Sequence, residues 1–255
     1  SNEWLCETKM VEKENLEWYA TEVFEENFNK MAPTLKRIYL TGGEPTLIKE
    51  NVKFLKKLLE IGNRDCFISF TTNLSIWNEE FFELIGQFNN VEIQISIDGF
   101  GPLNDYIRYS SRWESLDKNL DKIKALPNKS KIKIFSVFSV LNFLWMDELI
   151  AYLQNKFTDK PAEWMPIILQ APEFLNTDIL NEKQRAKAVE KLAQFEKHKV
   201  ATQLEYNYGL SLLKTQLQAK SSAAPELLQK TIGYIKTIDE IRKNSHPHIK
   251  IESLF

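Results

Sequence analysis

Arg37-Ile38-Tyr39-Leu40-Thr41-Gly42-Gly43-Glu44-Pro45 is the stretch whose reading decides the fold. Ile38, Tyr39, Leu40 and Thr41 favour a pleated strand. Gly42 and Gly43 end it, let the backbone approach a ligand closely, and leave N–H and C=O groups free. Glu44 adds a carboxylate acceptor and Pro45 stiffens the exit. In parallel α/β folds, ligands bind in the loops at the carboxyl ends of strands. A turn of this kind suits an ammonium group, which carries three donors. Taken alone, it equally suits a plain glycine-rich turn before a helix.

Working outward, strands are predicted at Arg37–Thr41, Phe67–Thr71, Val91–Ile97, Lys131–Phe138 and Glu163–Leu169. Their starts fall 30, 24, 40 and 32 residues apart, close to the roughly 30 residues of a β-α-β unit. Between them, apolar residues recur at helical spacing: Val52, Leu55, Leu58 and Leu59, then Phe81, Leu84 and Ile85, then Leu116, Leu120 and Ile123. A helix near Leu16–Met31 implies a strand before it. In Val91–Ile97 the apolar residues alternate with Glu92, Gln94, Ser96 and then Asp98. Buried parallel strands are usually apolar on both faces, so the polar face is expected to meet a wet or ligand-filled interior. An antiparallel edge strand is the alternative. After about Leu175 the strand pattern stops. Helices are predicted over Asn181–Lys199, Leu204–Lys220 and Glu226–Lys243, with a Ser-Ser-Ala-Ala-Pro break at 221–225.

Composition excludes several classes. The 255 residues are 43% hydrophobic and 27% charged, and 33 basic against 35 acidic side chains leave a net charge of −2. Sixteen Phe, six Trp and eight Tyr supply a core. No basic surplus points to nucleic acid. No run approaches the roughly 20 apolar residues of a membrane helix, and Ser1-Asn2-Glu3-Trp4 is not expected to open a signal peptide. Two distant cysteines, Cys6 and Cys66, make no disulfide framework and suit a reducing, cytoplasmic setting.

The motifs gain meaning together. Gly42-Gly43-Glu44-Pro45 resembles the GGEP motif of radical S-adenosylmethionine (SAM) enzymes. Thr71-Thr72-Asn73 resembles that family's strand ending in TN, and Ser96-Ile97-Asp98-Gly99 its SxDG strand. Arg108 follows where many members place an arginine on the SAM carboxylate. Val140-Leu141-Asn142 resembles the VLN of peptide-modifying members. The resemblance spans roughly Ser1–Gln170 and implies an α/β fold, a partial (β/α)6 barrel of parallel strands in 1–175, with a C-terminal helical extension in 176–255. It implies that Gly42, Gly43 and Glu44 hold the SAM amino group and that Ser96 and Asp98 lie near its carboxylate or ribose. Arg108 would pair the carboxylate, while Thr72, Asn73 and Asn142 line the pocket. Asn73 and Asp98 equally suit turn or helix-cap roles, and Arg108 a surface ion pair.

The implied activity is reductive SAM cleavage to a 5′-deoxyadenosyl radical and hydrogen abstraction from a substrate, which the resemblance suggests is a peptide. An electron donor is implied, with no nucleic-acid or membrane partner. One departure stands out. The family holds a [4Fe–4S] cluster through CxxxCxxC, since such clusters require thiolates, and this chain has no such triplet. Ser1-Asn2-Glu3-Trp4 resembles the segment after the third cysteine in members with a twitch-type extension. The chain is therefore expected to lack its first strand and cluster loop, and to be inactive alone. A degenerate, cluster-free barrel serving as a ligand- or partner-binding module is the alternative. His198 is expected to be solvated. His246 and His248 suit a metal, although two lone tail histidines more often hold none.

Overall fold

The computed structural model describes residues 21–127, 130–197, 200–219 and 225–250. The readings placed on Ser1–Trp4, on Cys6, on the start of the helix at Leu16, on His198 and on 221–224 lie outside these residues.

The strands are β1 (Arg37–Leu40), β2 (Phe67–Thr72), β3 (Val91–Ser96), β4 (Lys131–Phe138), β5 (Ala162–Ile168) and β6 (Leu204–Glu205). They form one parallel sheet in sequence order, β1-β2-β3-β4-β5-β6. Arg37 aligns with Phe67, Ile132 with Ala162, and Ala162 with Leu204. Helices α1 (Glu22–Met31), α2 (Lys49–Glu60), α3 (Glu79–Ile85), α4 (Pro102–Ile107), α5 (Trp113–Lys124) and α6 (Met146–Lys156) precede or link the first five strands. Then follow α7 (Glu182–Glu196), α8 (Asn207–Gln218) and α9 (Pro225–Arg242). This is the α/β class of consecutive parallel strands and helical crossovers expected of a partial (β/α)6 barrel, with a helical C-terminal extension.

Two readings need correction. The strand pattern does not stop at Leu175, because Leu204–Glu205 forms β6 beside β5. The helix expected from Leu204 therefore begins at Asn207. A two-residue strand shows no periodicity, and its pairing comes from β5 rather than from its own sequence.

The chain divides into two compact units. The first holds the described residues up to Thr72 with Ile76–Gln94 and Ala125–Lys131. Its core gathers Leu55, Leu58, Ile68 and Phe70, and Phe70 meets the Phe81 ring edge-on at 5.1 Å. Asn78 caps α3 by accepting from the Phe81 amide at 3.2 Å, which satisfies a donor the helix start leaves open. The second unit comprises Asn73–Ser75, Ile95–Lys124 and the described residues from Ile132 onward. Ile134, Phe138, Leu149, Leu153 and Trp164 are buried there. Asn181 and Gln184 close a reciprocal capping box at the start of α7.

Candidate functional site

In the first unit, β1 ends in an exposed turn, Thr41-Gly42-Gly43. Gly42 has φ +131°, a conformation L side chains rarely adopt. A side chain at Gly43 would meet nothing within 4 Å, so the backbone there is open to approach. Glu44 follows and its Oε1 accepts from Thr46 Oγ1 at 2.8 Å, from the Thr46 amide at 3.4 Å and from Thr72 Oγ1 at 2.8 Å. Thr72 is only 1% exposed. Asn51 donates to the Pro45 carbonyl at 2.9 Å and Asn78 to the Thr46 carbonyl at 2.7 Å. The turn is thus fixed from α2 and from the start of α3. Open backbone beside a held carboxylate fits the donor set of an ammonium group.

The polar face of β3 proves to be knitted by side chains. Tyr39 pairs with Thr71 at 2.9 Å, Thr71 donates to Gln94 Oε1 at 2.8 Å, and Gln94 donates to Glu92 at 2.8 Å. Glu92 itself is buried.

In the second unit, Asp98 is buried. Its Oδ1 accepts from the Val137 amide at 2.6 Å, and its Oδ2 lies 2.8 Å from Arg108 Nε. Burial pushes the Asp98 carboxyl above its ordinary range, with Arg108 and the Val137 amide pulling the other way. The Arg108 side chain is 27% exposed, and its Nε, though close to Asp98, lies off the hydrogen-bonding axis. Asn142 is fully buried. It donates to the Asp98 and Val137 carbonyls, each at 2.7 Å, and accepts from the Ser139 amide at 2.9 Å. Its amide therefore ties the end of β4 to the Asp98 backbone. Asn73 accepts from the Ser75 amide at 2.9 Å in a local turn, and Ser96 is half-buried.

Motif reading missed several supports. Asn104 accepts from the Asp98 amide at 3.0 Å. His246 Nε2 donates to the Leu141 carbonyl at 2.9 Å, while its Nδ1 accepts from the His248 and Ile249 amides. Both ring nitrogens are occupied, and burial drives the pKa of His246 down to about 4. No local pattern signals a contact spanning 105 residues.

The residues present do not fit an iron–sulfur cluster. The sequence has two cysteines, and Cys66 is a buried residue whose thiol burial pushes up. No group of three or more metal-ligating side chains occurs among the described residues. No helix among them is long and apolar enough to cross a membrane.

The sequence profile of the Radical SAM superfamily matches residues 6–141, more than half of the chain. No curated protein matches the sequence. Among solved structures, the chain is similar to Streptococcus suis SuiB bound to S-adenosylmethionine, at 13% identity and TM-score 0.48, over 71% of this chain and 41% of that one. It is also similar to TYW1 with a lysine-pyruvate adduct bound, at 16% identity and TM-score 0.39, over 64% and 51%. The chain thus spans about two fifths of the length of SuiB and half of that of TYW1.

Proposed function

This chain belongs to the radical SAM superfamily, and on that premise we propose that it binds SAM and serves hydrogen-atom abstraction from a peptide substrate. The observation that carries this reading is the open Gly42-Gly43 turn beside a Glu44 carboxylate fixed by Thr46 and Thr72. Glu44 and the turn carbonyls take the ammonium of SAM. Arg108, a guanidinium with several donors, takes its carboxylate. Asp98 orients Arg108, Thr72 orients Glu44, and Asn142 holds the Asp98 backbone. Ser96 faces the carboxylate or ribose, and Asn73 borders the site. When bound, SAM supplies this family's hydrogen-abstraction chemistry. The chain's share is to orient the ligand and shape the site around it.

The three cysteines of a [4Fe–4S] cluster are not among these residues, so no step is assigned through a cluster or its electron donor. The peptide assignment rests on the resemblance of Val140-Leu141-Asn142 to peptide-modifying members. The cysteine count favours one second reading, a cluster-free module that binds a ligand or partner without radical chemistry.

Iron and sulfide analysis of the intact protein, with SAM calorimetry, separates the two. The enzyme reading expects cluster-level iron and sulfide in the intact protein and only weak SAM binding by the 255-residue chain. An intact protein without iron, or tight SAM binding by the iron-free chain, overturns it.

A further inference from the structure

α4 is a six-residue helix that ends at Ile107, with Arg108 as its C-cap. A helix this short gains little from its own hydrogen bonds and needs tertiary contacts to persist. Arg108 has φ −98° and ψ +76°, and two residues on Ser110 sits at φ +68°. Local sequence therefore does little to fix where the guanidinium points. Asp98, the charged partner it has among the described residues, sits at 2.8 Å without an aligned N–H.

The contacts that do hold this segment come from the far end of the chain. Tyr106 is 1% exposed, and its hydroxyl donates to Asp239 Oδ1 at 2.8 Å. Arg242 donates to the Tyr106 carbonyl, and its guanidinium lies 4.9 Å from the Tyr109 ring centre. These two side chains of the last turn of α9 thus hold the hydroxyl and carbonyl of Tyr106 before Arg108 and meet the ring of Tyr109 after it. Four residues beyond the end of α9, His246 packs edge-on against Tyr106 at 4.6 Å and donates to Leu141, the neighbour of Asn142.

We infer that Asp239 and Arg242 are positioning residues for Arg108, so that the C-terminal segment sets the direction of the guanidinium proposed to meet the SAM carboxylate. The ligand side of this inference rests on the reading in the preceding subsection; the positioning side rests on the contacts alone. A role confined to seating α9 would leave Arg108 unaffected, whereas positioning makes its side chain respond first.

The test is Asp239→Ala in the full chain, read by the Nε–H resonance of Arg108 in nitrogen-15 spectra. Arg185, whose Nε donates to the Leu180 carbonyl at 2.9 Å, is the internal reference. The Arg108 signal is expected to shift or broaden while that of Arg185 stays. Asp239→Asn is expected to restore it, because an amide oxygen still accepts from Tyr106. Loss of one such hydrogen bond predicts an about three- to tenfold fall in SAM affinity, and no further fall when Asp239→Ala is added to Arg108→Ala. An unmoved Arg108 resonance, or an equal added loss in both backgrounds, overturns the inference. If the resonance moves while even Arg108→Ala binds SAM normally, the positioning stands and the SAM assignment of Arg108 fails.

Discussion

Oε1 of Glu44 accepts a hydrogen bond from the Thr72 hydroxyl at 2.8 Å, joining the exits of β1 and β2 across 28 residues. The same oxygen takes the Thr46 hydroxyl and starts the short helical turn at Pro45–Leu47. One carboxylate thus holds the glycine turn in shape and lends it negative charge. Glu44→Gln separates these roles, since an amide oxygen can still accept from Thr46 and Thr72. Its melting temperature is expected to stay close to wild type. In the cluster-containing protein, loss of a charged hydrogen bond to the ammonium predicts about ten- to hundredfold weaker SAM binding. Glu44→Ala removes the cap as well and costs about 1–2 kcal/mol of stability. Calorimetric titration with thermal melts checks both, and unchanged affinity in Glu44→Gln would sink the assignment.

Gly209 sits in the first turn of α8, against β5. A Cβ placed there would lie 2.7 Å from both Pro166 Cδ and Trp164 Cε3. Alanine in a helix normally gains about 1 kcal/mol over glycine. Overpacking against a buried indole reverses that sign, so Gly209→Ala is expected to lose about 1–3 kcal/mol. Urea unfolding measures it, and a more stable variant would contradict this seating of α8.

The five longer strands were legible because each is rich in β-branched, aromatic or aliphatic residues, in a run in β2 and alternating with polar residues in β3 and β4. Three crossover helices, α2, α3 and α5, were legible from Leu55, Phe81 and Leu120 recurring at helical spacing. Legibility failed where structure is borrowed from distant chain. Leu204–Glu205 is a strand only because Ala162–Glu163 offers it an edge. Glu44, Asp98 and Asn142 could be named from motifs, but what their side chains touch could not. Asn142 spends its whole amide on backbone atoms of Asp98, Val137 and Ser139, and no spacing rule announces that. Tyr106 and Asp239 lie 133 residues apart, so their pairing is a property of the fold rather than of either sequence neighbourhood.

Arg185 is a buried guanidinium that serves the end of α8. It donates to the carbonyls of Leu180, Thr177, Gln216 and Ala219, at 2.9 to 3.1 Å. The last carbonyls of a helix have no partner within it, and here one arginine fork supplies several donors. Arg185→Met keeps much of the apolar bulk and removes every donor. A loss of about 3 kcal/mol is expected, because buried acceptors left unmatched cost about 1–3 kcal/mol each and only some regain water. Arg185→Lys should recover little, since an ammonium cannot span these directions. Guanidinium unfolding of both variants checks the ranking, and full rescue by lysine would show that charge rather than fork geometry matters.

His246 ties the C-terminal tail down only while its ring is neutral. Nδ1 accepts from the His248 and Ile249 amides at 3.1 and 2.9 Å, and a proton there would set a donor against two donors. Burial is the main cause that lowers its pKa from 6.5 to about 4. The charge of His248 adds to it, while the Leu141 carbonyl and Asp239 oppose. The sign follows directly. Above pH 6.5 the ring is neutral in both folded and unfolded chains, and its contacts contribute in full. Between pH 6.5 and about 4 the unfolded chain takes up a proton that the folded chain refuses, so stability falls with pH. The whole window is worth about 3 kcal/mol at the conversion of 1.36 kcal/mol per pKa unit. Other groups also titrate there, so the measurement is a difference: urea unfolding of wild type and His246→Gln at pH 7.5, 6 and 5. Wild type is expected to be the more stable at pH 7.5 and to lose that advantage progressively by pH 5. A gap that stays constant across the three pH values would show that His246 does not titrate as its surroundings require.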